Sequence, residues 1–169
     1  MATFTTRPVV MGTCGVVTAG HYLASAAGMK ILQSGGNAVD AAAAMGFCLP
    51  LLEPSMNGIG GEVPILIYSE QDRQVFAISG QGVAPKAATI EWFRENDYSL
   101  IPGDGFLPAC VPAVVDTWAT AVARFGTMSF AQILQPAIEL AENGFPVYDR
   151  FRERLLPLVD RFISLYPTS

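Results

Sequence analysis

Residues 9–18, VVMGTCGVVT, are dense in β-branched side chains and predict a first strand. From about residue 23 the apolar positions recur at helical spacing until Gly35, where glycine suits the left-handed position after a helix. A second helix begins at once. Asn37 is a good N-cap and Asp40, three residues on, can return a bond to it or complement the positive helix end. Its side chains, Ala38 and then Ala41 to Ala44, are small all round, which suits a helix packed closely on both sides.

After the turn at Pro54 and Ser55 come VPILIYS and QVFAISG, two apolar runs separated by the polar turn from Glu70 to Arg73, which is the spacing of a hairpin. Neither run alternates cleanly, so both are expected centrally in a sheet covered on its two faces, with Pro64 tolerated only at a strand start or edge. Beyond Pro85 the period is helical. ATIEWFREN predicts one short helix and IPGDGFLPACVP a loop. AVVDTWATAVARFG predicts an amphipathic helix ended by Gly126, and SFAQILQPAIELAENG another between Ser129 and Gly144, kinked by Pro136. The last segment mixes Arg and Asp with Leu and Phe at helical spacing, broken at Pro157.

Composition changes this picture in one respect. Apolar residues make up 51% of the chain and charged residues only 15%, so part of the apolar surface is expected to meet another chain or a missing segment; a compact alanine-rich domain is the plain alternative. The net charge of -5 and the scattering of the ten basic residues argue against nucleic acid as a partner. Three cysteines, Cys14, Cys48 and Cys110, without CxxC spacing indicate neither a disulfide framework nor a zinc site; reduced, buried thiols are expected. Arg7 and Pro8 stand where the apolar core of an export signal would begin, so a cytoplasmic location is expected. The longest low-charge window, residues 41–52, is too short for a bilayer span, and no membrane partner is expected. With no repeat and no linker, residues 1–169 read as a single domain.

Candidate chemistry is sparse. Gly58, Gly60 and Gly61 leave a helix and enter a strand, the reverse of a dinucleotide-binding loop, and GxGxxG is not matched. The remaining reason for such glycines is close approach by another backbone or a ligand. His21, the only histidine, precedes a helix and reads as a capping or packing residue rather than a base. Ser55 and Ser79 have no paired base in the sequence. Asp97, Asp104 and Asp116 lack metal-ligand spacing and read as solvated loop or helix-face residues. No catalytic residue, metal site or cofactor is therefore expected in this chain.

The order of motifs is more specific. VVTAGHYLASAAGMKILQSGGNAVDAAAAMGFCLPLLEPSMNGIGGE, then SGQGVAPKAAT, then FGTMSFAQILQPAIELAENGFPV resemble the amino-terminal part of the γ-glutamyltranspeptidase family over about residues 15–150. The resemblance implies an α+β fold: part of an αββα four-layer N-terminal nucleophile hydrolase sandwich, its core helices packed on a mainly antiparallel sheet. It also implies a precursor that cuts itself into a large and a small subunit. The nucleophile would be the new N-terminal threonine of the small subunit, its own amine the base, and paired glycines of that subunit the oxyanion hole. None of these lies in a chain matching only the first part of the large subunit, and Thr168 is not in a matching context. The expected partners are the remainder of the precursor, or the small subunit, and a small-molecule amide.

One departure bears on substrate. The family's transpeptidases carry, in the segment matching SGQGVAP, an arginine that grips the α-carboxylate of the γ-glutamyl group. Here the matching residue is Gln81, and no arginine lies between Arg73 and Arg94. An uncharged amide weakens that recognition by roughly 1.5 to 3 kcal/mol. The resemblance is thus to the branch acting on other amides, such as oxamate or cephalosporin-type acyl groups. A loop residue meeting no ligand is the alternative for Gln81, and a non-catalytic scaffold of the same fold is the alternative for the chain.

Overall fold

A computed structural model describes residues 9–103 and 105–166; Arg7, Pro8, Asp104 and Thr168 lie outside the described residues. Helices α1 (Tyr22–Gln33) and α2 (Ala38–Leu52) lead into an antiparallel hairpin, β1 (Ile65–Ser69) and β2 (Gln74–Ile78). Helices α3 (Ile90–Glu95), α4 (Val114–Phe125) and α5 (Phe130–Asn143) follow. The described chain ends in α6 (Asp149–Leu155), a 3-10 turn (Leu156–Leu158) and α7 (Val159–Leu165). The architecture is a mixed one, helices with a small antiparallel sheet.

Helix α2 is central, packed against α1, α4 and α5. Its alanines make this possible: Ala41, Ala43 and Ala44 are at most 1% exposed. Glycines bring the neighbours closer still. A Cβ at Gly28 would lie 2.7 Å from the Met45 side chain, and one at Gly46 would lie 2.6 Å from the Trp118 ring. The core continues through Phe47, Cys48, Leu52, Trp118, Val122 and Ile133.

The helix ends follow local side-chain chemistry. Asn37 accepts from the N–H groups of Val39 (2.8 Å) and Asp40 (3.1 Å), and Asp40 accepts from the Asn37 N–H at 2.8 Å, closing a capping box. Ser129 and Gln132 form a second box at the start of α5. Ser129→Ala should cost about 1 kcal/mol in a urea titration, the usual effect of deleting such a cap. Gly35 lies past the end of α1 with φ +93, the conformation its position requires. Helix α5 runs through the buried Pro136 without a break in the helix.

One expectation for strands is corrected, and another is met only in part by these residues. Residues 9–18 form no strand: the segment is open, with Val9, Val10 and Met11 each at least 75% exposed, and β-branched content without a pairing partner does not make a sheet. The hairpin is not covered on both faces among the described residues. Ile65, Ile67 and Ile78 pack toward the core, whereas Leu66 (77% exposed), Tyr68 and Val75 face outward into the open.

The thiols also differ from expectation. Cys48 is buried, but Cys14 and Cys110 are exposed because both lie in irregular segments at the surface. Burial pushes the Cys48 thiol up to about 11. In the folded chain an aromatic disulfide reagent at neutral pH should therefore titrate Cys14 and Cys110 within minutes, leaving Cys48 unmodified until the chain is unfolded.

Candidate functional site

Gln81 sits just beyond β2, on a short stretch of backbone fixed at both flanks. On one side the Val63 N–H donates to the Gly80 carbonyl at 2.9 Å; on the other the Val111 N–H donates to the Val83 carbonyl at 2.9 Å. The glycines at 80 and 82 allow these approaches. A Cβ at Gly80 would overlap the Val63 carbonyl oxygen and stand 2.6 Å from Thr117 Cγ2, while one at Gly82 would overlap the Val111 carbonyl oxygen. Gly80 is accordingly buried, and Gln81 between them is exposed. A side chain carried on a backbone clamped at both neighbours projects from a defined place, which a ligand-reading residue requires.

The bond from Val63 to Gly80 also brings the glycine cluster to this end of the hairpin, because residues 58–62 enter β1 where Gln81 leaves β2. Beside them lies a cavity of about 310 Å³ lined by Leu49, Pro50, Asn57, Gly61, Glu62 and Trp118, among others. Its wall is mainly apolar, with one amide and one carboxylate. No close neighbour inside this chain accounts for the glycines: a Cβ at Gly58 or Gly60 would meet nothing within 4 Å, and one at Gly61 only the Gly58 carbonyl oxygen at 3.4 Å. The expected close approach is thus absent within the described residues.

The other candidates are placed as follows. His21 is buried and its Nδ1 accepts from the Leu23 N–H at 3.2 Å, so it caps α1; its ring stacks on Tyr22 and leans on Tyr148. Ser55 and Ser79 are exposed, as are Asp97 in a turn and Asp116 on the surface of α4. Among the described residues no three His, Cys, Asp or Glu side chains gather as a metal site. No helix among them is long and apolar enough to cross a membrane.

Asp40, which the sequence marks only as a capping residue, also ties two distant segments together. Besides closing its own capping box, it accepts from the Thr127 hydroxyl at 2.7 Å, the Thr127 N–H at 3.0 Å and the Met128 N–H at 3.3 Å. It is fully buried, and burial alone would raise its pKa. The bonds from Thr127, Asn37 and Met128 together outweigh that and hold the carboxyl below its ordinary value. Gly126 belongs to the same cluster. It ends α4 in an extended conformation rather than the left-handed one, and a Cβ there would lie 2.6 Å from Asp40 Oδ1. The signal was GGNAVDAA and FGTMS occurring in one sequence, but nothing local joins residues this far apart.

The family model described as Gamma-glutamyltranspeptidase matches residues 24–167. The chain belongs to the γ-glutamyltranspeptidase family. This γ-glutamyltranspeptidase-family chain is 40% identical over 139 residues to the glutathione hydrolase-like YwrD proenzyme of Bacillus subtilis, a match covering 82% of it and 26% of that protein. It is 41% identical over 147 residues to the acylase ACY 1 proenzyme of a Pseudomonas strain, covering 80% of this chain and 26% of the acylase. Its fold superposes on the Helicobacter pylori γ-glutamyltranspeptidase with a TM-score of 0.86 at 33% identity, over 95% of this chain and 46% of that one. The chain therefore spans about a quarter of the length of these curated relatives.

Proposed function

We propose that this chain is the amino-terminal part of the large subunit of a γ-glutamyltranspeptidase-like amidohydrolase or acyltransferase. Its nucleophilic threonine lies on polypeptide outside these residues. The observation that carries this reading is the match of residues 24–167 to the family, with glutathione hydrolase-like and acylase proenzymes among the relatives. On it, residues 1–169 fold as one unit and supply helices and two strands to a four-layer αββα sandwich. The remainder of the precursor covers the apolar surface left open at Leu66, Tyr68 and Val75. The open glycines at 58 and 60 then face that remainder, where small residues let backbones approach.

Gln81 takes the place of a carboxylate-gripping arginine in the wall of the acyl pocket, and the substrate is an amide whose acyl group need not carry the glutamyl α-carboxylate. The clamped backbone at Gly80 and Gly82 supports the first point, and the amide side chain the second. The test is a substrate panel: the chain assembled with the polypeptide that completes it, offered γ-glutamyl amides and amides without an α-carboxylate. The reading expects the second group to be cleaved with the higher kcat/KM; equal or reversed preference would remove Gln81 from the pocket. In the same assembly Gln81→Arg should lower KM for γ-glutamyl amides at least about tenfold, the effect of regaining one charge-assisted bond.

A further inference from the structure

Gly80 has both of its backbone groups engaged. Its N–H donates to the Ile78 carbonyl at 3.0 Å, and its carbonyl accepts the Val63 N–H at 2.9 Å. What sets its height above the helices is α4. Thr117 Cγ2 stands 2.6 Å from the place a Cβ at Gly80 would occupy, so the bare glycine rests on that methyl. Thr117 is buried, and the other buried residues of α4, Val114, Trp118, Ala121 and Val122, are all apolar.

A buried threonine has a hydroxyl to satisfy and a methyl to place. The Thr117 hydroxyl donates to the Ala113 carbonyl at 2.7 Å, where the Thr117 N–H also donates at 2.9 Å. A helical threonine chooses its rotamer by such a bond, so fixing Oγ1 fixes Cγ2 as well. The same stretch of chain reaches the other flank of Gln81, because the Val111 N–H donates to the Val83 carbonyl. Residues 111–117 thus hold the backbone on both sides of Gln81, by a hydrogen bond at one end and a methyl group at the other.

We propose that Thr117 is a positioning residue for Gln81. Its methyl, held by the hydroxyl bond to Ala113, sets the place from which the Gln81 amide enters the acyl pocket, and so tunes the choice between acyl groups. This rests on the reading of Gln81 as a pocket residue. Thr117 itself touches no substrate and acts through Gly80. Without the methyl the junction has room to settle toward α4, and an amide displaced with it loses aligned hydrogen bonds.

Two substitutions separate the methyl from the hydroxyl. Thr117→Ser keeps the bond and deletes the methyl. Thr117→Val deletes the bond, while the rotamer valine prefers in a helix keeps a methyl at the Cγ2 place. In the chain assembled with its completing polypeptide, the quantity to measure is the ratio of kcat/KM for amides without an α-carboxylate to that for γ-glutamyl amides. Thr117→Ser should lower that ratio at least about fivefold, through KM with kcat held within about twofold, and Thr117→Val should leave it within about twofold. In a Gln81→Ala background the effect of Thr117→Ser should vanish, because the two residues act as one unit. A loss of stability alone would not depend on position 81 in this way. Amide exchange, which needs no turnover, is the second readout. The Val63 N–H, bonded to Gly80, should exchange at least about fivefold faster in Thr117→Ser than in Thr117→Val, with Val111 the same in both.

An unchanged ratio in Thr117→Ser where Gln81→Ala alters it overturns the inference and leaves Gln81 in the pocket, as do equal Val63 exchange rates in the two variants. An unaltered ratio in Gln81→Ala removes Gln81 from the pocket and takes the inference with it. A Thr117→Ser effect that persists without Gln81, or that Thr117→Val reproduces in full, shows a purely structural threonine and likewise overturns the inference.

Discussion

Asp40→Ala should lower the free energy of unfolding by about 3 to 5 kcal/mol, measured by urea titration at neutral pH. The magnitude follows from what is left behind. The Asp40 carboxylate accepts the Asn37 N–H, the Thr127 N–H and hydroxyl and the Met128 N–H, and it is fully buried. Removing it strands several buried donors and opens a space beneath Gly126. Asp40→Asn keeps the volume but has a single acceptor oxygen and two new donors, so it should recover at most about half of the loss.

The pH dependence has a fixed sign. The folded carboxyl titrates below its ordinary value of 3.8. Its contribution is therefore complete above about pH 4 and is lost as pH falls through the lower folded value. Stability of the unaltered chain should decline in that acid range, and the difference from Asp40→Ala should shrink there. A constant difference down to pH 2 would contradict the assignment.

Gly80→Val should cost about 3 kcal/mol. Even the first carbon added at Gly80 would overlap the Val63 carbonyl oxygen and approach Thr117 on α4, and neither is the free end of a flexible side chain. The strand entry must move away from the helix, and the backbone carrying Gln81 moves with it. Gly58→Ala is the contrast, since its Cβ meets nothing within 4 Å. In the chain alone it should change stability by less than about 0.5 kcal/mol. Thermal unfolding of both variants checks the pair.

What could be read from the sequence was what short-range chemistry decides. Asn37 with Asp40, Ser129 with Gln132, Gly35 and Gly144 end helices through neighbours a few residues away, and the hairpin turn is equally local. What was not legible has a different cause. Residues 9–18 have strand-forming side chains but no strand beside them. The hairpin has the composition of a two-sided sheet, yet the described residues cover one face of it. Asp40 was legible as a cap and not as the anchor of Thr127, because that link joins segments distant in sequence. At the candidate site, the substitution of glutamine at position 81 was legible through a family resemblance, whereas its two-sided backbone clamp required the structure.

On the proposed function, these residues build the wall and support of a hydrolytic site whose nucleophile is carried elsewhere on the polypeptide. Amide release measured side by side for the purified chain and for the same chain assembled with its completing polypeptide tests this most directly. No release by the chain alone and sustained release by the assembly are expected. Release by the isolated chain, or none from the folded assembly with any amide offered, would contradict it.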